Sequence, residues 1–291
     1  MRNTNKRLRD IISTGGMARV MAAHDPLSAM LVEEAGFDGI WASGFELSAA
    51  MGLADVSLVS MTEHLDNMRR MASRTHLPIV ADIDTGYGNA INVLYTVEQF
   101  EAAGAAAVVI EDKMFPKVTS LIAGGRQDLV SIAEHQGKIE AAVSARKDPD
   151  FMIIARVEAL IAGRGEEEAL ARAHAYEKAG ADMILIHSKQ KNPDEIESFI
   201  NAWTGSVPIV IVPTAYPQMT EARAKALGKI GILIYGNHAI RAAVTGMQNV
   251  FSQIIKDGGI ETVNDTIVPV TEIFRLQRME EVKENESRYL R

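Results

Sequence analysis

Val80-Ala81-Asp82-Ile83-Asp84-Thr85-Gly86-Tyr87-Gly88-Asn89 ends a short apolar run in two carboxylates and then in glycines. A buried parallel strand brings charge to the mouth of an α/β fold in this way. Its apolar residues are covered on both faces, and polar ones follow where the strand stops. Asp82 and Asp84 stand two residues apart, so on a strand they point to the same side. Like charges that close repel unless a cation or hydrogen bonds offset them, and a hard divalent ion held by oxygen ligands meets that need. Solvated loop acids, or an ion-pair network of Asp82, Asp84 and Glu111 with Lys113 and Arg156, are competing readings of the same residues.

Similar runs recur on either side at intervals of about one βα unit. They are Arg19–Ala22, Gly39–Ser43, Pro78–Ile83, Ala106–Ile110, Phe151–Arg156, Met183–His187, Pro208–Pro213 and Ile232–Tyr235. Helical spacing fills the gaps, as in Glu167–Ala179 and Asp194–Trp203. Four junctions place a glycine where a left-handed helix stop is expected: Glu34-Ala35-Gly36-Phe37, Ala102-Ala103-Gly104-Ala105, Lys178-Ala179-Gly180-Ala181 and Lys229-Ile230-Gly231. Eight strands alternating with helices over 291 residues predict a closed (β/α)8, TIM-type barrel. A doubly wound open sheet is the competing α/β fold, but no glycine-rich phosphate fingerprint follows the first strand.

The expected organisation is a single barrel domain over 1–291, carrying a C-terminal helical extension from about 244 to 291. In that extension an amphipathic stretch through Ile255 precedes a Gly258-Gly259 break and a polar tail. Val270, Ile273, Phe274 and Leu276 are apolar positions that a monomeric barrel need not provide. They predict helices packing on another subunit, with a helix lying on its own barrel as the alternative.

Composition excludes several classes. A net charge of −8 with no Lys/Arg run leaves no electrostatic footprint for nucleic acid. No apolar run approaches the length of a membrane span, and residues 1–10 are polar without a signal-peptide core, so a cytoplasmic protein with no membrane partner is expected. The absence of cysteine removes disulfides, thiolate metal sites and a cysteine nucleophile.

Barrels of this kind place their sites at the carboxyl ends of the strands. The first run ends at His24-Asp25, the second at Trp41-Ala42-Ser43-Gly44, and the third at Asp82 and Asp84. The fourth gives Glu111-Asp112-Lys113, the fifth Arg156 and Glu158, the sixth His187-Ser188, the seventh Thr214 and the eighth Asn237-His238. Acids therefore gather on strands three and four, with Arg156 and His187 on five and six. One half of the mouth suits a cation, the other an anionic substrate. Each residue also has an ordinary reading: Arg156 as a partner of Glu158, His187 as a donor to a carbonyl, Ser43-Gly44 as a turn. Their joint placement at one end favours function. The segment Asp112–Gln127 is long for a βα loop. With Lys113, Lys117, Thr119, Ser120 and Arg126 it reads as a lid over an anionic substrate.

These segments resemble the phosphoenolpyruvate mutase/isocitrate lyase superfamily over essentially the whole chain. The resemblance is carried by Gly39-Ile40-Trp41-Ala42-Ser43-Gly44, the Ala81–Asn89 segment, Glu111-Asp112-Lys113-Met114-Phe115-Pro116-Lys117, Ile154-Ala155-Arg156-Val157-Glu158-Ala159, His187-Ser188-Lys189 and Tyr235-Gly236-Asn237-His238. Lyases of the superfamily carry a catalytic cysteine in the loop after strand four, and this chain has none. The loop instead resembles the branch acting on phosphonopyruvate. Mutases of that branch continue the loop with asparagine where this chain has Thr119, and tend to carry lysine after the threonine at Thr214. Both departures favour hydrolysis of the carbon–phosphorus bond, whereas Phe274-Arg275-Leu276-Gln277-Arg278 is similar to mutases, which remain the alternative. A decarboxylase or another hydrolase of small 2-oxo acids is a third reading.

The resemblance implies that Asp82 ligates Mg2+ (or Mn2+ or Co2+), with Asp84 and Glu111 holding it largely through water. It implies that backbone N–H groups around Ser43, Gly44 and Phe45 bind the substrate carboxylate beside Trp41. Arg156 and His187, helped by Thr119 and Ser120, would contact the phosphonate, with Lys117 fixing the loop and Asp55 as the carboxylate near phosphorus. It also implies a homo-oligomer, dimer or tetramer, with exchanged C-terminal helices.

Overall fold

The computed structural model describes residues 4–122 and 124–291. Eight parallel strands close in sequence order into a barrel. They are β1 (Ala18–Ala23), β2 (Gly39–Ala42), β3 (Ile79–Asp82), β4 (Ala107–Glu111), β5 (Met152–Val157), β6 (Met183–Ile186), β7 (Ile209–Ile211) and β8 (Ile230–Tyr235). Helix α1 (Thr4–Ser13) precedes the barrel. The connections hold α2 (Pro26–Glu34), α3 (Gly44–Ala50), α4 (Met61–Ala72), α5 (Ala90–Ala102), α6 (Ile132–Ala145), α7 (Gly165–Lys178), α8 (Asp194–Ala202) and α9 (Glu221–Ala226).

The strands read as unbroken apolar runs because both faces are buried, yet their side chains sort by parity. Val80, Val109, Ile154, Leu185, Val210 and Ile232 fill the barrel interior. Ile79, Ala81, Val108, Ile110, Ile153 and Ile184 pack outward in a cluster that includes the helix residues Phe100, Ile139, Tyr176 and Phe199. Each of the Val, Leu, Ile and Phe side chains among them stabilises the fold by roughly 1.5–3 kcal/mol when fully buried. Helix starts are set by side-chain caps: Asp25 with Ser28 at α2, Ser60 with Glu63 at α4, Asn89 with Asn92 at α5, and Ser131 at α6.

Three of the four expected glycine stops have positive φ, at Gly36, Gly104 and Gly180. The fourth expectation is wrong. The left-handed glycine is Gly228, with φ 69°, and Gly231 lies inside β8. A Cβ there would stand 2.7 Å from Met183 Cε and 3.0 Å from Pro208 Cβ, so Gly231 serves close packing and β8 begins two residues earlier than its apolar run suggests.

The chain divides into two compact units, Met1–Ala239 and Ile240–Arg291. Helix α10 (His238–Asp257) starts directly after β8, earlier than the expected boundary near 244. It is followed by α11 (Glu261–Asn264), α12 (Val270–Leu276) and α13 (Met279–Tyr289). Among the described residues no helix is long and apolar enough to cross a membrane.

Candidate active site

Parity carries the barrel interior into its mouth. Asp82 continues the inward series of Val80, Glu111 that of Val109, Arg156 that of Ile154, and His187 that of Leu185. Register then brings acid beside base, since Glu111 on β4 pairs with Arg156 on β5. Asp82, Arg156 and His187 meet at the carboxyl ends of the strands around a small cavity of about 60 Å³. Trp41, Asp82, Lys117, Thr119, Arg156 and His187 are among its lining residues.

The acidic half rests on β3 and the turn after it. Asp82 and Asp84 are 7 % and 4 % exposed. Asp84 adopts φ 50°, and its backbone N–H donates to Asp82 Oδ1 at 3.1 Å. Gly86 follows with φ 87°, where a Cβ would stand 2.4 Å from Val93 Cγ2, so only glycine permits this turn. Burial, then the charge of Asp84, pushes the Asp82 carboxyl up to about 6. Burial likewise raises Asp84, against the pull of Lys117. Lys117 Nζ lies 2.5 Å from Asp55 Oδ1 and 3.2 Å from Asp84 Oδ1, and burial of its charge is more than offset by Asp84, Glu111 and Asp55.

These residues fit a hard cation. Among the described residues, Glu111 Oε1 and Asp84 Oδ1 are buried without a hydrogen bond; Glu111 Oε2 lies 3.5 Å from Arg156 Nε, and Asp84 Oδ1 has the Lys117 ion pair. Asp84 Oδ1 and Asp82 Oδ2 also converge beside the backbone of Gly44, where a Cβ would lie 3.3 and 3.4 Å from them. Among the described residues no group of three or more His, Asp or Glu side chains is arranged to hold a metal ion by itself. An ion such as Mg2+ keeps several waters and uses few carboxylates.

The basic half is organised by Glu158, which is fully buried. Its Oε1 accepts from Arg156 Nε, and its Oε2 accepts from Ser120 Oγ at 2.7 Å and lies 3.1 Å from Lys113 Nζ. Burial opposes the charge of Glu158, but Arg156 and Lys113 overrule it and hold the carboxyl well below the usual range. Arg156 Nη2 donates to Ser120 Oγ at 3.0 Å and reaches His187 Nδ1 at 2.9 Å. Burial and the charge of Arg156 depress His187, which is therefore neutral near pH 7. The Arg156 contact is shorter than the 3.3 Å from His187 Nδ1 to Glu158 Oε1. We therefore assign Nδ1 as acceptor and the ring proton to Nε2.

The structure brings Trp41, Ser43, Phe45, Asp55, Asp82, Lys117, Thr119, Ser120, Arg156 and His187 to one cavity wall. Asp84, Glu111 and Gly44 are not among the lining residues, although Asp84 and Gly44 stand beside Asp82. Lys113 does not join the acids of β3 and β4 in one ion-pair network; it pairs with Glu158.

Sequence reasoning missed two neighbours. Ser57, with φ 59°, accepts from the Lys117 backbone N–H at 3.2 Å and lies 3.5 Å from Asp84 Oδ2. Nothing in the sequence marks it. His64 is 6 % exposed and depressed by burial, and a Cβ on Gly44 would lie 3.1 Å from its Cε1. Its helical spacing with Leu65, Met68 and Met71, all buried on α4, was the available signal. Thr214 and Asn237, marked only as strand-end residues, also line the cavity.

Residues 8–255 match the phosphoenolpyruvate phosphomutase family. The chain is 58% identical over 287 residues to a phosphonopyruvate hydrolase from Variovorax sp. (strain Pal2), covering 99% of each protein. It is 44% identical over 284 residues to a phosphoenolpyruvate phosphomutase from Tetrahymena pyriformis, covering 98% of this chain and 94% of that protein. Among solved structures, a phosphonopyruvate hydrolase in complex with oxalate and Mg2+ superposes with a TM-score of 0.94 at 56% identity, covering 99% of both chains. With a match over most of its length and relatives at these identities, the chain belongs to the phosphoenolpyruvate phosphomutase family.

Proposed function

We propose that this protein is a phosphonopyruvate hydrolase, converting 3-phosphonopyruvate to pyruvate and inorganic phosphate. Water oxygen bonds to phosphorus and the carbon–phosphorus bond breaks. Its electron pair passes to carbon as the pyruvate enolate, which takes up a proton to become pyruvate. The observation that carries this reading is Thr119, which lines the cavity with Asp82, Arg156 and His187 in a chain alike from end to end to a phosphonopyruvate hydrolase.

Asp82 would hold Mg2+ (or Mn2+ or Co2+) directly, with Asp84 and Glu111 acting largely through water, and the ion supplies Lewis-acid charge for the substrate's oxygens. The chain's own groups do the rest. The N–H groups of the first turn of α3, at Gly44 and Phe45, are ones a helix leaves unpaired, and with Ser43 they hold the substrate carboxylate beside Trp41. Arg156 binds phosphonate oxygens through its planar fork. Neutral His187 donates from Nε2 to the same group, and Ser120 supports both. Lys117 offsets the charge of Asp55, which stands near phosphorus. Thr119 leaves room for a water and orients it.

A second reading, isomerisation by a phosphoenolpyruvate mutase, is favoured by a TM-score of 0.96 at 48% identity to a phosphoenolpyruvate phosphomutase from Streptomyces platensis subsp. rosaceus. Incubation with phosphonopyruvate and Mg2+, followed by 31P NMR, separates the two. Phosphate with stoichiometric pyruvate is expected. Phosphonopyruvate formed from phosphoenolpyruvate without phosphate would instead establish the mutase.

We also propose a cytoplasmic homo-oligomer, dimer or tetramer, in which each chain is one barrel domain extended by its C-terminal helices. Support comes from apolar side chains that stay exposed in the C-terminal helices, with Val270 at 66 % and Phe251 at 61 %.

A further inference from the structure

We propose that Glu158 is the positioning residue of the basic half, holding the groups that meet the phosphonate in their binding geometry without touching substrate itself. This rests on the phosphonopyruvate reading. Glu158 is fully buried and is not among the residues lining the cavity. Its carboxylate reaches both elements that supply the phosphonate contacts: Arg156 on β5, and Ser120 on the loop. Lys113, at the start of that loop, adds an ion pair at 3.1 Å and donates to Ser120 Oγ at 2.5 Å and to the Val118 carbonyl at 2.9 Å.

The carboxylate is itself fixed from behind. The Glu158 backbone N–H donates to Asp112 Oδ1 at 2.9 Å. Asp112 in turn accepts from Arg172 Nη1 at 3.0 Å and from Tyr176 Oη at 2.8 Å, both on α7. A charged acceptor with both oxygens engaged fixes its donors' rotamers more firmly than a neutral one. It leaves Ser120 Oγ accepting from Arg156 and, with His187 Nδ1 assigned as acceptor, lets Arg156 Nη2 donate to that nitrogen. Glu158 thus ties a loop residue, a strand arginine and a histidine tautomer to one anion.

The experiment uses the full-length protein at saturating Mg2+ and compares Glu158→Gln with the parent. Steady-state kinetics on phosphonopyruvate are read beside the inhibition constant of oxalate, which lacks a phosphoryl group. A positioning role predicts a loss in kcat/KM of about a hundredfold, with oxalate inhibition within about threefold of the parent. Should the buried Lys113 charge left behind prevent folding, the double variant Lys113→Met/Glu158→Gln removes both charges and is held to the same ratio. A folded variant with near-parental kcat/KM would overturn the inference. So would an equal loss of oxalate inhibition, because Glu158 would then support the whole mouth. Phosphate release by the parent tests the hydrolase reading separately, before either variant is compared.

Discussion

Both halves of the barrel mouth bury carboxylates, and those carboxylates end in opposite states. In the basic half, both oxygens of the fully buried Glu158 are engaged by Arg156, Ser120 and Lys113. In the acidic half, Glu111 Oε1 and Asp84 Oδ1 have no hydrogen bond among the described residues, Asp84 Oδ1 pairs with Lys117, and Asp82 is pushed up to about 6 by burial and Asp84. A buried acceptor without a partner costs about 1–3 kcal/mol, more when charged. The basic half satisfies its buried carboxylate with its own donors, whereas the acidic half leaves carboxylate oxygens that a cation would satisfy.

The largest test of that contrast is Asp82→Ala. Loss of the carboxylate expected to ligate the ion directly should cut Mg2+-dependent phosphate release more than about a thousandfold. The variant should also lose the rise in melting temperature that Mg2+ gives the parent. An unchanged thermal response to Mg2+ would move the ion elsewhere.

An intermediate effect is expected where the loop meets the cavity. Thr119→Asn should lower phosphate release about tenfold, a change typical of reshaping one contact in a pocket, and should raise the yield of phosphoenolpyruvate from phosphonopyruvate. Unaltered product ratios by 31P NMR would mean that Thr119 does not select water.

The smallest effect is expected at the back of the acidic half, where His24 Nδ1 lies 2.9 Å from Glu46 Oε2 under α3. The hydrogen bond to Glu46 raises the His24 pKa against partial burial. A raised histidine contributes stability that is fully present below the unfolded value near 6.5 and is lost as pH rises through the folded value. Urea unfolding of the parent between pH 6 and pH 9 should therefore show an extra loss of less than about 1 kcal/mol that His24→Gln does not show. Equal slopes for the two proteins would mean that Glu46 does not raise the His24 pKa.

Much of this was legible in the residues alone. Apolar runs ending in polar pairs located all eight strands, and the barrel rule turned their ends into a site. What remained hidden depended on chain reversals. Lys117 meets Asp55 across 62 residues of sequence and Ser120 meets Glu158 across 38; no periodicity links such pairs. Ser57 carries a positive φ that serine does not advertise. Gly231 was misread because a glycine that ends a helix and one that admits a close neighbour look alike in one dimension.

The inward series from Val80 to Asp82, from Val109 to Glu111 and from Ile154 to Arg156 gives the strands something like a reading frame. Inserting or deleting one residue within β3, β4 or β5 would act as a frameshift of the site, turning its charges toward the helices and apolar side chains into the mouth. The described residues between β4 and α6 belong to no barrel strand, and a βα loop can change length without rotating a strand. New chemistry on this scaffold is therefore open to evolution through loop length and through substitution at strand ends, and closed to it through strand length.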